Sequence, residues 1–367
     1  MSDLYADSVL FHLRPIQALI EDDSVSEILV NGPDQVYVER QGRLQQVDVR
    51  FHGDDELLAA CINLAQYSAK RLDSDNPRFD GRLPDGSRVH VVTPPITTSV
   101  HLAIRKFQDK RFGLKDLIGL GFLTEDAARF LKVATLMQRN VVVSGGTSSG
   151  KTTLLNVMSG FLDDHERIVL LEDSPELQLR NKHVVSLATR PADQHGEGAI
   201  TMRELLHSTL RLRPDRILVG EVRGPEALDL LNALNSGHGG TMTSLHANSP
   251  TQALAKLETL CLFAGEEIPP RAIRTSIASA VDIVLQCSRI QDGSRRVTAI
   301  SEVRSTLDGD GNYVVTPLFT LHTQGLDAFG KLIGRLQGSG NLPSFHEEAK
   351  AKGWFVKPIA YGVLEEG

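Results

Sequence analysis

The feature that most constrains the fold is a glycine-rich segment near the middle of the chain. Residues 145–152 read GGTSSGKT, which matches the phosphate-binding pattern G-x-x-x-x-G-K-[ST]. The apolar run NVVVS (140–144) precedes it, and a segment with leucines at helical spacing follows it. This order of strand, loop and helix predicts a phosphate cradle built from backbone N–H groups at a helix N-terminus.

Two side chains of this loop have predicted roles of their own. Lys151 is expected to reach the β- and γ-phosphates of a nucleotide, and the Thr152 hydroxyl is expected to ligate Mg²⁺. The predicted nucleotide-binding residues are Gly145, Gly146, Thr147, Ser148, Ser149, Gly150, Lys151, Thr152 and Thr153. ATP and Mg²⁺ are therefore the predicted cofactors.

Two patterns of secondary structure divide the chain. The N-terminal part reads as a β-meander, a helix, a hairpin with Asp85-Gly86 as its turn, and a strand over 101–107. Farther along, strands alternate with helices, which predicts a parallel sheet. After residue 282, strand-like segments predict a small antiparallel addition, and the tail from about residue 323 has no clear pattern. The predicted boundaries are 1–107 for an N-terminal α/β domain, 108–124 for a linker and 125–367 for a C-terminal domain.

Composition excludes several classes of protein. The 39 Lys and Arg residues against 46 Asp and Glu residues give a net charge of −7, which argues against a general affinity for nucleic acid. The three cysteines are far apart and form no CxxC pair, so neither a zinc module nor a disulfide framework is expected. The N-terminus has no basic region like that of a secretion signal, and no apolar segment reaches the length of a membrane span. We therefore expect a soluble, cytoplasmic protein.

Carboxylates follow two of the predicted strands. Glu221 comes directly after RILVG (216–220), a strand that we expect to lie beside the loop strand, so its carboxylate is placed to orient or deprotonate water. A second strand ends in Glu172-Asp173, and Glu176 lies one turn later. These acids are candidates for a water-mediated Mg²⁺ shell.

Two further side chains stand near the predicted site. His246 ends a third strand, where it either senses a γ-phosphate or links the sheet to the next helix. Arg223 follows Glu221 by two residues and is the candidate to connect the site with a subunit contact.

Four stretches occur in an order that resembles the type II/type IV secretion ATPase superfamily. GGTSSGKTT, LLEDSPEL (170–177), RPDRILVGEVRG and GTMTSLHANSPTQALAKLETL (240–260) are similar to its Walker A motif, Asp box, atypical Walker B motif and His box. Outside the ATPase core, NGPDQVYVER, GRLPDGSRVHVVTPP, IRKF and DGSRRVTAISEV are similar to the branch that powers tight-adherence (Tad, type IVc) pili. The resemblance covers about residues 24–320.

The resemblance implies an α/β chain with an N-terminal α/β domain, which has an antiparallel sheet and helices, and a RecA-like P-loop ATPase domain. It also implies a homohexameric ring that binds ATP between the two domains and contacts inner-membrane pilus platform proteins from the cytoplasm. Position by position, it makes Glu221 the catalytic carboxylate, places Glu172 and Glu176 in the Asp box, and makes His246 the His-box residue. It further implies that Arg88 and Arg105, with Arg82 as a weaker third, present positive charge to the phosphates.

The chain departs from the family pattern at two places. Ser148 stands where the family usually has glycine, so it would be strained if that position needs a positive φ. Many Tad ATPases also carry a long N-terminal extension, whereas about 20 residues precede the shared region here.

Three alternatives remain open at this stage. A conjugation or type IV secretion ATPase would have the same core chemistry and would differ in its genetic neighbours. A non-hydrolysing, nucleotide-gated scaffold is disfavoured by intact Lys151 and Glu221 and would be identified by an ATPase assay. A RecA-like DNA motor is disfavoured by the acidic net charge and would show salt-dependent DNA affinity.

Overall fold

The computed structural model describes residues 8–40, 42–107, 112–192 and 197–363. The chain divides into two units, Met1–Arg111 and Phe112–Gly367. Residues 112–124, which the sequence assigned to a linker, fall in the second unit and include helix α3, Leu114–Gly119, whose Leu117 is buried in the core of that unit. Residues 108–111 of the predicted linker lie outside the described residues.

The N-terminal unit is built around an antiparallel sheet, which has six strands in the described part of the chain, in the order β3-β2-β1-β6-β5-β4. The strands are β1 Val25–Asn31, β2 Val36–Arg40, β3 Arg43–Val47, β4 Arg78–Arg82, β5 Arg88–Val92 and β6 His101–Arg105, and the helices are α1 Gln17–Glu21 and α2 Asp54–Tyr67. Alternate residues such as Val36 and Val38 are buried, as expected when one face of a strand packs on a core. The predicted meander, helix and hairpin are therefore confirmed.

The second unit contains a sheet of nine strands among the described residues, in the order β15-β14-β13-β12-β7-β11-β10-β8-β9. The strands are β7 Val141–Gly145, β8 Ile168–Glu172, β9 Val184–Ala188, β10 Arg216–Val219, β11 Met242–Leu245, β12 Ile283–Arg289, β13 Arg295–Leu307, β14 Tyr313–Leu326 and β15 Leu332–Gly338. Neighbours from β12 to β9 pair in parallel, and β13, β14 and β15 continue the sheet antiparallel. Every residue of β7, β8, β10 and β11 is buried, as in a parallel sheet covered on both faces.

Helices cover the parallel strands of the second unit. Besides α3, they are α4 Glu125–Leu136, α5 Lys151–Ser159, α6 Met202–Thr209, α7 Glu226–Asn235, α8 Pro250–Leu262, α9 Pro270–Ala280 and α10 His346–Ala351. Local sequence fixes several of their starts. The Thr201 hydroxyl accepts the N–H of Glu204 while the Glu204 carboxylate accepts the N–H of Thr201, and the Ser249 hydroxyl accepts the N–H of Gln252. Across the described ranges, no helix is long and apolar enough to cross a membrane.

The strand order corrects one expectation. The sequence predicted that the strand before Glu221 lies beside the loop strand, but β10 pairs with β11 and β8, whereas β7 pairs with β11 and β12. The reason is that the chain returns after α7 and inserts β11 between β7 and β10. The order of these strands along the chain therefore differs from their order in the sheet.

The region after residue 282 also differs from the prediction. β12 was expected to begin an antiparallel addition, but it pairs parallel to β7 and therefore belongs to the central sheet. The glycine-rich tail supplies β15 and α10, and the Phe319 and Tyr361 rings of this region lie 5.7 and 6.0 Å from the Phe130 ring of α4, centroid to centroid. All three rings are almost completely buried, so the addition is part of the core of the second unit.

Candidate nucleotide-binding and catalytic site

The loop between β7 and α5 has a backbone that requires its glycines. A Cβ on Gly145 would collide with the Cys287 carbonyl oxygen, and a Cβ on Gly150, where φ is +100°, would lie 2.8 Å from the Phe122 ring. Ser148 has a φ of +56°, so the position where the family has glycine does take the left-handed conformation. The strain expected of a serine there follows from this geometry.

Lys151 lies at the N-terminus of α5, and its side chain points back into the loop. The residue is 8% exposed, and Nζ donates to the carbonyl oxygens of Gly145 and Gly146, each at 3.1 Å. The loop therefore wraps around the Lys151 ammonium group and directs hydrogen-bond acceptors toward it. Phosphate oxygens entering this loop would meet a buried cation and the N–H groups of a helix N-terminus.

Glu172 and Glu176, two of the acids predicted for the Mg²⁺ shell, have different surroundings. Glu172 is 5% exposed, and its Oε1 accepts the backbone N–H groups of Glu176 and Leu177, both at 2.9 Å. It therefore stabilises the turn after β8. Glu176 is the acid that reaches the loop, because its Oε2 accepts a hydrogen bond of 3.4 Å from the Thr152 hydroxyl.

The oxygen atoms of Thr152 and Glu176 fit Mg²⁺, which prefers oxygen ligands and commonly takes only one or two from the protein, with phosphate oxygens and water completing the shell. Within the ranges that the structure describes, no group of three His, Cys, Asp or Glu side chains could hold a metal ion by itself. This donor set fits an ion that arrives with a nucleotide.

The backbone that carries Glu221 is fixed by both neighbouring strands. The N–H of Gly220 donates to the Leu171 carbonyl of β8 at 2.8 Å, and the Ser244 hydroxyl of β11 donates to the Gly220 carbonyl at 2.7 Å. The Glu221 side chain is 15% exposed. A mostly buried carboxylate therefore stands at the carboxyl edge of the parallel sheet, where ligands bind in open α/β sheets.

His246 lies between Lys151 and Glu221. Its Nε2 is 2.8 Å from Glu221 Oε1, and its Nδ1 is 3.4 Å from Lys151 Nζ. Burial, chiefly, lowers the pKa of His246, and the Lys151 charge adds to this while Glu221 opposes it. The lowered pKa favours the neutral ring at pH 7, and the ring lies between the ammonium group and the carboxylate. The position of β11 between β7 and β10 produces this bridge.

Arg223 contacts the other oxygen of Glu221. Its Nε and Nη2 lie 2.7 and 2.5 Å from Glu221 Oε2, and its Nη1 lies 3.8 Å from Asp173 Oδ2. The structure thus brings together Lys151, His246, Glu221 and Arg223. It also places Asp173 beside Arg223, a pairing that had no signal in the sequence, since the two residues are 50 positions apart.

The N-terminal unit contains its own cluster of predicted site residues. Arg88 on β5 pairs in register with Arg82 on β4 and with Arg105 on β6. Directly opposite residues of antiparallel strands point to the same face, so the three arginines form a row on one face of the sheet. Val89 and Val91 point to the other face and are buried.

Comparisons with known proteins show the family of the chain. A family model described as "Type II/IV secretion system protein" matches residues 11–307. A putative conjugal transfer protein of Mycobacterium tuberculosis (strain H37Rv) is 36% identical over 296 residues, which cover 79% of this chain and 84% of the relative. The type IV secretion system protein VirB11 of Bartonella quintana is 31% identical over 332 residues, covering 80% and 92% of the two chains.

Among solved structures, the ATPase DotB of Legionella pneumophila aligns with a TM-score of 0.53 and 18% identity, over 83% of this chain and 78% of that one. This last likeness concerns the fold alone. The family model spans residues 11–307, which contain the whole candidate site, and each of the two relatives covers about four fifths of the chain. The chain therefore belongs to the type II/IV secretion system ATPase superfamily.

Proposed function

We propose that the chain hydrolyses ATP as one subunit of a homohexameric motor that drives assembly, or assembly and retraction, of a Tad (type IVc) pilus or a related secretion apparatus. The observation that supports hydrolysis is the position of the Glu221 carboxylate. His246 lies between this carboxylate and Lys151 of the phosphate loop. A carboxylate placed there suits water activation, and a buried lysine in a glycine-rich loop suits phosphate binding.

The reaction assigns a role to each of these groups. Water attacks the γ-phosphorus, a new O–P bond forms, the bond to the β-phosphate oxygen breaks, and Glu221 accepts a proton from the water. Lys151 pairs with the β- and γ-phosphates. Thr152, with Glu176 or Glu172 acting through water, would hold Mg²⁺, which would supply positive charge beside the phosphates. His246 orients Glu221 through the 2.8 Å contact.

The arginine row of the N-terminal unit provides the coupling to motion in this proposal. Arg88 and Arg105, with Arg82 beside them, bind the γ-phosphate, and its loss on hydrolysis removes the charge that they hold. We expect Arg88→Ala and Arg105→Ala to lower ATP turnover. Arg78→Ala, on the same sheet at the exposed start of β4, is the matched control.

A steady-state phosphate-release assay tests the hydrolysis. We expect Lys151→Ala to abolish hydrolysis and Glu221→Gln to stall turnover while ATP still binds. Controls of the same residue types are Lys182→Ala, whose side chain is 80% exposed, and Glu125→Gln, whose side chain is 68% exposed. Turnover near the wild-type value in Lys151→Ala or Glu221→Gln would contradict the assignment, and a wild-type chain that binds ATP without hydrolysing it would favour the nucleotide-gated scaffold.

A second candidate is a conjugation or type IV secretion ATPase that energises substrate transport. The specific observation in its favour is the identity of 36% and 31% with a putative conjugal transfer protein and with VirB11. Deletion of the gene separates the two candidates. Loss of surface pili with intact conjugative transfer supports the pilus motor, and the reverse supports the transfer ATPase.

The proposed partners follow from the motor function. We propose a cytoplasmic hexamer that contacts the inner membrane only through platform proteins and does not need nucleic acid. Light scattering with and without an ATP analogue tests the ring. Pull-down with the cytoplasmic part of a platform protein tests the contact, and DNA binding that falls steeply with salt would instead favour a DNA motor.

A further inference from the structure

Asp173 lies beside the candidate site and has no role in the function proposed above. It follows Glu172 at the end of β8, and its Oδ2 lies 3.8 Å from Nη1 of Arg223. The same guanidinium holds Glu221 Oε2 through Nε at 2.7 Å and Nη2 at 2.5 Å. One arginine therefore faces two carboxylates and is closer to Glu221.

The backbone of Arg223 is anchored, while its side chain has room to move. The N–H groups of Arg223 and Gly224 donate to Glu226 Oε1 at 2.7 and 2.8 Å, and Glu226 is buried. In contrast, the Arg223 side chain is 56% exposed and that of Asp173 is 42% exposed. A change of partner between the two carboxylates therefore needs only rotation of the arginine side chain.

The choice of partner matters for the chemistry of Glu221. A guanidinium beside a carboxylate stabilises the charged form and weakens the carboxylate as a base. Its other oxygen already faces the His246 ring at 2.8 Å. Glu221 therefore accepts a proton more readily when Arg223 has moved toward another anion, and the Asp173 carboxylate lies 3.8 Å from the same guanidinium.

We propose that Asp173 is a positioning residue that draws Arg223 away from Glu221 and thereby sets how readily Glu221 accepts the proton of the attacking water. This inference rests on the proposed hydrolysis. It assigns to Asp173 an effect that acts entirely through Arg223.

A double-mutant cycle with ATP as substrate tests this inference on the full chain. Asp173→Asn keeps the shape of the side chain and removes its charge, so Arg223 stays on Glu221. Since the pair is partly exposed, we expect kcat to fall about two- to fivefold with KM unchanged. Asp173→Glu restores a carboxylate and is expected to recover most of the lost rate. In an Arg223→Gln background, Asp173→Asn is expected to have no further effect on kcat.

Two results would overturn the inference. One is an unchanged kcat in Asp173→Asn, and the other is an equal fall in kcat with and without Arg223. If Arg223→Gln is too slow to measure, Arg223→Lys replaces it, because one ammonium group cannot contact both carboxylates as the guanidinium does. The Glu221→Gln variant separates the two proposals. If it is inactive, these results bear on Asp173 alone, whereas wild-type turnover in Glu221→Gln would overturn the proposed hydrolysis and this inference together.

Discussion

The C-terminal addition offers a stability test with a matched control in the same hairpin. Phe319 on β14 is completely buried, and its ring lies 5.7 Å from the Phe130 ring and 5.6 Å from the Tyr361 ring, centroid to centroid. Phe329, between β14 and β15, is 90% exposed. Truncating Phe319 leaves a cavity in the core, whereas truncating Phe329 removes a side chain that is almost fully exposed to solvent. We therefore expect Phe319→Ala and Phe329→Ala to have very different costs.

The magnitude follows from burial. Removing a buried phenylalanine side chain costs about 3–5 kcal/mol of unfolding free energy. For a unit of this size each kcal/mol lowers the melting temperature by about 2–4 °C, so Phe319→Ala is expected to lower it by about 10 °C. Phe329→Ala is expected to change stability by less than about 0.5 kcal/mol.

Differential scanning calorimetry of the two variants beside the wild type measures both shifts. Because the family model ends at residue 307, a large effect at Phe319 would show that the region beyond it stabilises the ATPase unit. Equal shifts in the two variants, or no shift in Phe319→Ala, would refute the reasoning that joins the addition to the core.

Three further predictions concern the site. Glu176→Gln is expected to raise the Mg²⁺ concentration needed for half-maximal hydrolysis, which a Mg²⁺ titration of the activity measures. Glu172→Gln is expected to lower the free energy of unfolding by about 1–3 kcal/mol, because the Glu172 carboxylate accepts two backbone N–H groups in the core. A denaturant titration measures this loss. Because the pKa of His246 is lowered in the folded chain, the imidazole binds a proton more readily in the unfolded chain. A fall in pH below the ordinary imidazole pKa of about 6.5 therefore disfavours the native site. Protonation of the ring also places a second cation beside Lys151. The kcat of the wild type should therefore fall on the acid side, and this part of the pH profile should be absent in His246→Gln. Ser148→Gly is expected to stabilise the loop by up to about 1 kcal/mol and Ser148→Val to destabilise it, as thermal unfolding would show.

The sequence predicted the parts of the site that depend on local pattern. The loop residues, the strand before them and the helix after them follow one another in the chain, so spacing alone places Lys151 and Thr152. The strain at Ser148 was expected from the resemblance, because the family usually has glycine at that position. The hairpin at Asp85-Gly86 is local in the same way as the loop.

The parts that the sequence did not predict depend on spatial order. No sequence pattern indicates that β11 lies between β7 and β10 in the sheet. This position of β11 places His246 against both Lys151 and Glu221. The contact of Arg223 with Asp173 joins two strand ends and has no periodic signal. The end of β14 and the whole of β15 were not predicted, because glycines interrupt the apolar pattern of the chain after about residue 323.

The role of Glu221 is best measured by single-turnover release of phosphate from Glu221→Gln. We expect this variant to bind ATP with wild-type affinity and to release phosphate at least about 10²-fold more slowly, since the proton acceptor is lost while the phosphate loop is intact. Phosphate release at the wild-type rate would contradict the assignment of Glu221 as the group that activates water.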